Sequence, residues 1–222
     1  MPKNHEGIGM EGLRFFGKVS ASISHEIKNA LAVIHENAGL MKDLILMSEK
    51  GRPLDLERIN SLAERVSGQV RRADGIVNNL NRFAHSMDDS LKQIDLGEYL
   101  SFVTELSRRF ADMRGVKLHC EHGPDPVNIV TSPFLLANLL YLCINYSVEA
   151  AEQGETVYMQ TEPVFEGAQI RFRDLRIASM PGEKSPVEKG KELLDALEAT
   201  LEADAGNREL VLTLQEKINT PF

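Results

Sequence analysis

The feature of this sequence that most constrains its fold is an apolar repeat with helical spacing. From about Met10 to Met47 the chain contains no proline, and apolar or small residues recur every three or four positions. This spacing predicts one long amphipathic helix, because residues three and four apart lie on the same helical face. The repeat comprises Phe16, Ser20, Ile23, Ile27, Ala30, Ile34, Met41 and Leu44, and it is widened by Val19, Leu31, Ala38 and Ile45.

The segment "EKGRPLD" (Glu49 to Asp55) separates this helix from a second one. Gly51 can take the left-handed conformation that ends a helix, and Pro53 suits the first turn of the next. Two helices of about 35 to 40 residues joined by a short loop predict an antiparallel hairpin. The second helix keeps an a/d heptad spacing at Ile59, Leu62, Val66, Gln69, Ala73, Ile76, Leu80, Phe83 and Met87.

Each apolar stripe is wider than a single partner helix can cover. We therefore expect a second copy of the chain to supply two more helices, which gives a homodimer with a two-fold symmetric four-helix bundle. Burial of the stripes against the chain's own C-terminal half is the alternative.

The pattern changes after "SMDDSLKQID", which ends at Asp95. Short strands and helices follow one another, which predicts a compact two-layer α/β domain. The fold class is therefore α plus α/β, with a helical hairpin over residues 10–90 and an α/β domain over residues 95–222. The predicted elements are a helix over about Leu96 to Met113, strands in "GVKLHCEHG" and "VNIVT", a helix over Pro133 to Glu152, a hairpin of "ETVYMQTEPV" and "AQIRFRD", a helix over about Val187 to Ala203, and a strand in "RELVLTLQ".

Composition narrows the classes of function. The formal net charge is -8 and no cluster of Lys and Arg stands out, which argues against a nucleic-acid-binding surface. The longest apolar run, "FLLANLLYLCI", is shorter than the roughly 20 residues that cross a bilayer, and the first residues contain no signal-peptide core. Cys120 and Cys143 are expected to be reduced thiols. We expect a soluble cytoplasmic protein that binds no membrane, with no sensory segment before the first helix.

A charged tetrad, "HEIK" (His25 to Lys28), interrupts the first apolar helix. With Ile27 at heptad position a, His25 falls at f, the position furthest from the apolar a/d face where the helices meet (the seam). Asn29 follows one turn later on almost the same face as His25. Glu26 flanks the seam. A lone surface histidine is usually only solvated, but an exposed imidazole can also carry a phosphoryl group. A neighbouring carboxylate can orient the ring and take its proton, and an amide one turn away can orient water.

At these residues the sequence resembles the two-component sensor histidine kinases. "SASISHEIKNALAVI" is similar to their phospho-acceptor box, and Ser24, His25, Glu26 and Asn29 match its pattern position by position. "QVRRADGIVNNLNRFA" resembles the second helix of the same dimerisation and phosphotransfer domain, and "IDLGEYL" resembles the start of the kinase's ATP-binding domain. The resemblance implies that His25 accepts a phosphoryl group. Lys28 could neutralise phosphoryl oxygens, or it could be an ordinary solvated lysine.

The resemblance fails at the family's nucleotide-binding motifs. In "INYSVEAAEQG" the position of the Mg²⁺-ligating asparagine holds Tyr146. Asn145, one residue earlier, points in a direction rotated by about 100° around the helix axis. "DLRIA" keeps Asp174 but lacks both glycines of a D-x-G-x-G motif, and the lid segment "SMPGEKSPVEKGKELL" has only the isolated Gly182 and Gly190. Glycine is needed where backbone N–H groups approach phosphates. We therefore expect this chain to bind no ATP, no other cofactor and no metal ion.

Such a chain resembles the bacterial phosphorelay phosphotransferases built on a degenerate kinase scaffold, such as the sporulation phosphotransferase. The resemblance implies that His25 takes a phosphoryl group from the aspartate of one response-regulator receiver domain and gives it to another. The receiver would supply the Mg²⁺. Three alternatives stay open: a phosphatase in which Glu26 and Asn29 orient water, an adaptor that binds and blocks a regulator or a kinase, and a divergent sensor kinase.

Overall fold

The computed structural model describes the backbone of residues 4–176 and 186–218, and the side chains of those residues from Gly12 onward. These residues form two compact units. Lys18–Arg82 make up the first, and the described residues up to Gly17 and from Phe83 make up the second.

Two long helices, joined by a short loop, run through the first unit. Helix α1 spans Asn4–Glu49 and helix α2 spans Leu56–His85, so α1 is longer than predicted and α2 is shorter. Gly51 ends α1 in the left-handed conformation, with φ of 90°. The Arg52 N–H donates to the Met47 carbonyl at 3.2 Å, which satisfies a carbonyl in the last turn of α1. The predicted glycine stop is confirmed.

The predicted bounds of α2 are wrong at both ends. Pro53 lies before the helix, which begins only at Leu56. The Asp55 carboxylate accepts a hydrogen bond from the Arg58 N–H at 3.0 Å and so caps the first turn. At the other end, the Ser86 hydroxyl donates to the Phe83 carbonyl at 2.6 Å. Met87, which continues the heptad spacing, therefore lies outside the helix.

Burial within the first unit follows the predicted seam only in part. Val19, Ile23 and Ala30 of α1 and Leu62 of α2 are buried, and most other stripe positions are half-buried. Several large apolar side chains of the unit stay exposed, namely Leu31, Leu40, Ile45, Leu46, Met47, Leu54, Leu56, Val70 and Val77. The hairpin alone therefore does not cover its own apolar surface.

The α/β part of the second unit has a mixed five-stranded sheet with helices on one face. The strand order is β2-β4-β5-β7-β6; β2 and β4 are parallel, and the other neighbours are antiparallel. A separate antiparallel pair joins β1 and β3. The described elements are β1 (Lys92–Asp95), α3 (Leu96–Met113), β2 (Lys117–Glu121), β3 (Asn128–Thr131), α4 (Pro133–Ala150), β4 (Thr156–Val164), β5 (Gly167–Arg173), α5 (Pro186–Lys189), α6 (Lys191–Ala196), β6 (Thr200–Asp204) and β7 (Glu209–Gln215).

Burial alternates along the strands of the sheet, so its two faces differ. On β4 and β5, Val157, Met159, Ile170 and Phe172 are fully buried, whereas the residues between them are half-buried. Because successive side chains of a strand point to opposite faces, one face forms the core and the other is solvated. The predicted fold class, a helical part followed by a two-layer α/β domain, is confirmed.

Helix α4 lies in this core and contains the longest apolar run of the sequence. Leu136, Leu140, Ile144 and Val148 are fully buried, so the run forms a core helix. Among the helices that the structure describes, none combines the length and apolar character required to cross a bilayer. Cys120 and Cys143 are both free thiols, as predicted, and burial raises the pKa of Cys143 in α4.

The predicted helix over about Val187 to Ala203 is wrong. The chain forms two short helices, α5 and α6, and then the strand β6. Glu198 has a φ of 50°, in the left-handed region, and the Ala199 N–H donates to the Leu194 carbonyl at 2.9 Å to close the turn. Leu201 is then buried in register with Leu212 of β7. Strand pairing therefore decides the conformation of a segment whose composition favours helix.

Candidate functional site

His25 lies on the exposed face of α1. Its side chain is exposed, and so are those of Ser24, Lys28 and Asn29. The opposite face of the same turns holds the buried Ala30 and points inward. This is the placement that the heptad position predicts, because f is the position furthest from the seam. The imidazole is therefore accessible to a partner protein, and the amide of Asn29 follows one turn later on the same face.

Glu26 lies beside the seam, and α2 contributes a partner for it. The Glu26 carboxylate lies 3.9 Å from a guanidinium nitrogen of Arg72, and the Glu26 side chain is 19% exposed against 61% for Arg72. An ion pair this exposed contributes little to stability. It does restrict the carboxylate to the side of α1 that borders α2. Sequence reasoning missed Arg72, although both residues precede an a position of their helices, where charged pairs between helices form.

These side chains supply complementary chemistry within a short stretch of one helix. The set from Ser24 to Asn29 contains a nucleophilic imidazole, a carboxylate, an amide and, in Lys28, a cation. A helix holds such groups at fixed spacing, and phosphoryl transfer depends mainly on positioning and on neutralising charge. Side chains of these types can take part in the transfer of a phosphoryl group.

Tyr146 of α4, which stands where the resembled kinases have a Mg²⁺-ligating asparagine, does not suit that role. Tyr146 is only 8% exposed, and burial raises the pKa of its phenol. A neutral, buried phenol is a poor substitute for the carbonyl oxygen that Mg²⁺ prefers. Asn145 is half-buried, and its Oδ1 has no hydrogen-bond partner among the described residues.

The segment after β5 also departs from what a nucleotide needs. Asp174 has a φ of 65°, and its carbonyl accepts from the Arg208 guanidinium at 3.2 Å. The next N–H, that of Leu175, donates to the Arg208 carbonyl at 2.9 Å. The peptide group between Asp174 and Leu175 is therefore already paired within the protein. Ile177 and Ala178, which complete "DLRIA", lie outside the described residues.

Arg176 occupies the position of the first missing glycine and joins two loops. Its guanidinium contacts the carboxylates of Glu152 at 2.5 Å and Glu155 at 3.0 Å, both in the loop between α4 and β4. The pKa of Glu155 is lowered, first by the hydrogen bond from the Glu152 N–H and then by Arg176. Arg176 thus places a large side chain where the D-x-G-x-G motif of the resembled kinases has a glycine.

Gly190 is used for packing against α4. A Cβ at this position would lie 2.9 Å from the Pro186 carbonyl oxygen and 3.2 Å from Cδ1 of Leu139. Its N–H donates to the Pro186 carbonyl at 2.8 Å, so it is not available to a phosphate. Gly182 and the rest of the expected lid up to Ser185 lie outside the described residues.

A sensor protein kinase is similar in sequence to part of this chain. No protein-family model matches the chain. The sensor protein kinase PilS of Pseudomonas aeruginosa is 25% identical over 144 residues, which are 63% of this chain and 25% of PilS. This chain is therefore similar to a sensor kinase over about a quarter of that protein's length.

Solved structures of histidine kinases are also similar to it. A nucleotide-free catalytic domain of the histidine kinase ThkA has 9% identity and a TM-score of 0.48, and the match covers 57% of this chain and 96% of that one. The Acinetobacter baumannii histidine kinase AdeS has 11% identity and a TM-score of 0.47 over 81% and 95% of the two chains. A histidine kinase from Burkholderia phymatum has 20% identity and a TM-score of 0.45 over 84% and 96%. Matches this distant assign no activity.

Proposed function

We propose that this chain is a histidine phosphotransferase of a bacterial two-component phosphorelay. In this proposal His25 carries a phosphoryl group between the aspartates of response-regulator receiver domains in the cytoplasm. The observation that carries the proposal is the exposed His25 imidazole, with Glu26 as the next residue and Asn29 one turn later, in a chain with the buried Tyr146 at the position of the kinases' Mg²⁺ ligand. The similarity to PilS supports a place in two-component signalling.

The proposed transfer step needs only the residues of the site and one phosphorylated receiver. A ring nitrogen of His25 attacks the phosphorus of the receiver's aspartyl phosphate. The N–P bond forms as the P–O bond breaks, and the aspartate leaves as a carboxylate with the electron pair. Glu26 takes the proton from the ring's other nitrogen. In the reverse step the carboxylate of a second receiver attacks the phosphorus, the P–O bond forms as the N–P bond breaks, and Glu26 returns the proton to the ring. Lys28 would help to neutralise the phosphoryl oxygens, together with a Mg²⁺ ion held by the receiver.

A direct test compares two donors. The chain is incubated with a radiolabelled phospho-receiver or with radiolabelled ATP, and the label on the protein is measured. We expect label from the receiver alone. Label from ATP alone would favour the divergent sensor kinase, which the similarity to PilS also allows. Loss of phosphate from the receiver without labelling of this chain would favour the phosphatase, for which the exposed amide of Asn29 beside Glu26 is suited.

The proposed protein is a homodimer, and Leu80 tests this. Leu80 is half-buried on α2 at a predicted seam position, in a hairpin whose apolar side chains remain partly exposed. We expect light scattering at micromolar concentration to report a dimer. Leu80→Glu should give a monomer or an unfolded bundle, because an unpaired buried charge costs on the order of several kcal/mol. Asn78→Glu, at an exposed position of the same helix, should remain dimeric. A wild-type monomer would contradict the proposal.

A second expected result is the absence of nucleotide binding. Calorimetric titration with Mg²⁺-ATP or Mg²⁺-ADP should give no dissociation constant below about 1 mM, which corresponds to roughly 4 kcal/mol of binding free energy. The reasons are the buried phenol of Tyr146 and the paired backbone after Asp174. An active histidine kinase domain, titrated in the same buffer, is the control. Submillimolar binding, or labelling of His25 from ATP, would show that these positions are misassigned.

A further inference from the structure

Five aromatic side chains from three helices meet in the second unit. We call them the aromatic cluster: Phe15 and Phe16 of α1, Phe83 of α2, and Phe134 and Tyr141 of α4. The centroid of Phe15 lies 5.1 Å from that of Phe83 in an edge-to-face arrangement, and 5.1 Å from that of Tyr141. Phe134 lies 5.8 Å from Phe15 and 6.1 Å from Phe83. These separations lie within the range in which aromatic rings attract one another.

The contact between these helices is close, and the two rings at its centre are buried. Phe83 is 0% exposed and Phe15 is also buried. Gly12, one turn before Phe16, faces α4, where an added Cβ would lie 3.0 Å from Cε1 of Phe134. The start of α1 and the end of α2 thus belong to the core of the α/β domain. This explains why residues up to Gly17 and from Phe83 form one compact unit with it.

We propose that α4 acts as a clamp that holds residues 12–16, in the N-terminal part of α1, and the last turn of α2 together. These segments lie towards the end of the hairpin opposite the loop, where no short connection joins the two helices. Helix ends open readily unless other side chains pack on them. The clamp gives the α/β domain a role that needs no nucleotide, and it does not depend on whether His25 carries phosphate.

The clamp contains a polar weak point. Asn138 lies on the same face of α4 as Phe134 and Tyr141, because residues at spacings of four and three share a helical face. It is only 7% exposed, and its Nδ2 has no hydrogen-bond partner among the described residues. A buried donor without a partner destabilises the packed state. The clamp is therefore weaker than an all-apolar contact of the same size, which makes it able to open.

The test is amide hydrogen exchange on the full-length chain. Phe134→Ala removes a ring of the cluster, and Phe165→Ala removes a ring that is 91% exposed at the β4–β5 turn. In Phe134→Ala we expect exchange in residues 12–17 and 83–85 to accelerate by about tenfold or more, with the centres of β5 and β7 unchanged. Phe165→Ala should match the wild type. Unchanged exchange at the helix ends, or an equal increase throughout the sheet, would overturn the proposal.

Asn138→Leu tests the clamp in the opposite direction. A leucine of similar size removes the unpartnered donor, so exchange in residues 12–17 and 83–85 should slow several-fold. If Phe134→Ala does not fold, Asn138→Leu still tests whether α4 holds the two helix segments together. Faster or unchanged exchange at the helix ends in Asn138→Leu would show that α4 does not hold them.

Discussion

His25→Ala should abolish the transfer of phosphoryl groups from a phosphorylated receiver to this chain. The label on the wild-type protein should be labile in acid and stable in base, as expected for a phosphoramidate. In the proposed function the imidazole forms the bond to phosphorus, so no residual rate of transfer is expected once it is removed. His35→Ala is the matched control, because His35 is an exposed histidine on the same helix. A label that persists in His25→Ala, or disappears in His35→Ala, would contradict the assignment of His25 as the phosphoryl acceptor.

The same experiment separates the carrier from a phosphatase. Asn29 is proposed to act on water alone, so Asn29→Ala should leave transfer nearly intact and reduce any loss of phosphate to water. A phosphatase would give the opposite pattern: His25→Ala would keep much of its hydrolytic activity, and Asn29→Ala would lose it. Both variants measured against one cognate receiver therefore distinguish the two functions.

The second large effect is expected at Glu26. Glu26→Gln keeps the size of the side chain and removes the carboxylate that we propose takes the imidazole proton, so transfer should slow by about 10²- to 10⁴-fold. Arg72→Gln is the informative control, since it removes the ion pair between the helices and leaves the carboxylate in place. We expect Arg72→Gln to change the rate much less. Single-turnover transfer from a phospho-receiver measures both rates.

Two results would contradict this role of Glu26. If Arg72→Gln slowed transfer as much as Glu26→Gln, the carboxylate would act by holding the helices in register. If Glu26→Gln transferred at the wild-type rate, solvent would take the proton. Circular dichroism of both variants checks that α1 and α2 remain folded.

Strong periodicity explains which parts of the fold the sequence predicts. The α1 repeat and the Gly51 stop are local signals, and the structure has both. Helix α3 has the predicted bounds Leu96–Met113, because Asp95 caps its N-terminus and accepts from the N–H groups of Gly97 and Glu98. By contrast, the four-residue strand β1 was missed, since its pairing with β3 is not encoded in its own residues.

The candidate site shows the same limit. The heptad repeat alone places His25 and Asn29 on the exposed face of α1, and the structure has them there. The contact of Glu26 with Arg72 depends on how α1 and α2 align along each other, which neither repeat fixes. Likewise, nothing local to Arg176 identifies Glu152 and Glu155 as its partners, because they come from a different loop.

The candidate site lies almost entirely in one short run of the sequence, so it can be grafted onto another helix. Ser24, His25, Glu26, Lys28 and Asn29 lie within about two turns of α1, whereas Arg72 comes from α2. The six residues from Ser24 to Asn29, grafted at matching heptad positions of an unrelated antiparallel hairpin, would therefore carry all of the candidate site that α1 contributes. The positions that the family resemblance assigns to nucleotide binding, at Tyr146, Asp174 and Gly190, instead lie in three separate segments of the chain, so a change in any one of them breaks the set. A protein can drift away from nucleotide chemistry at many points in its chain and still keep this short histidine segment intact.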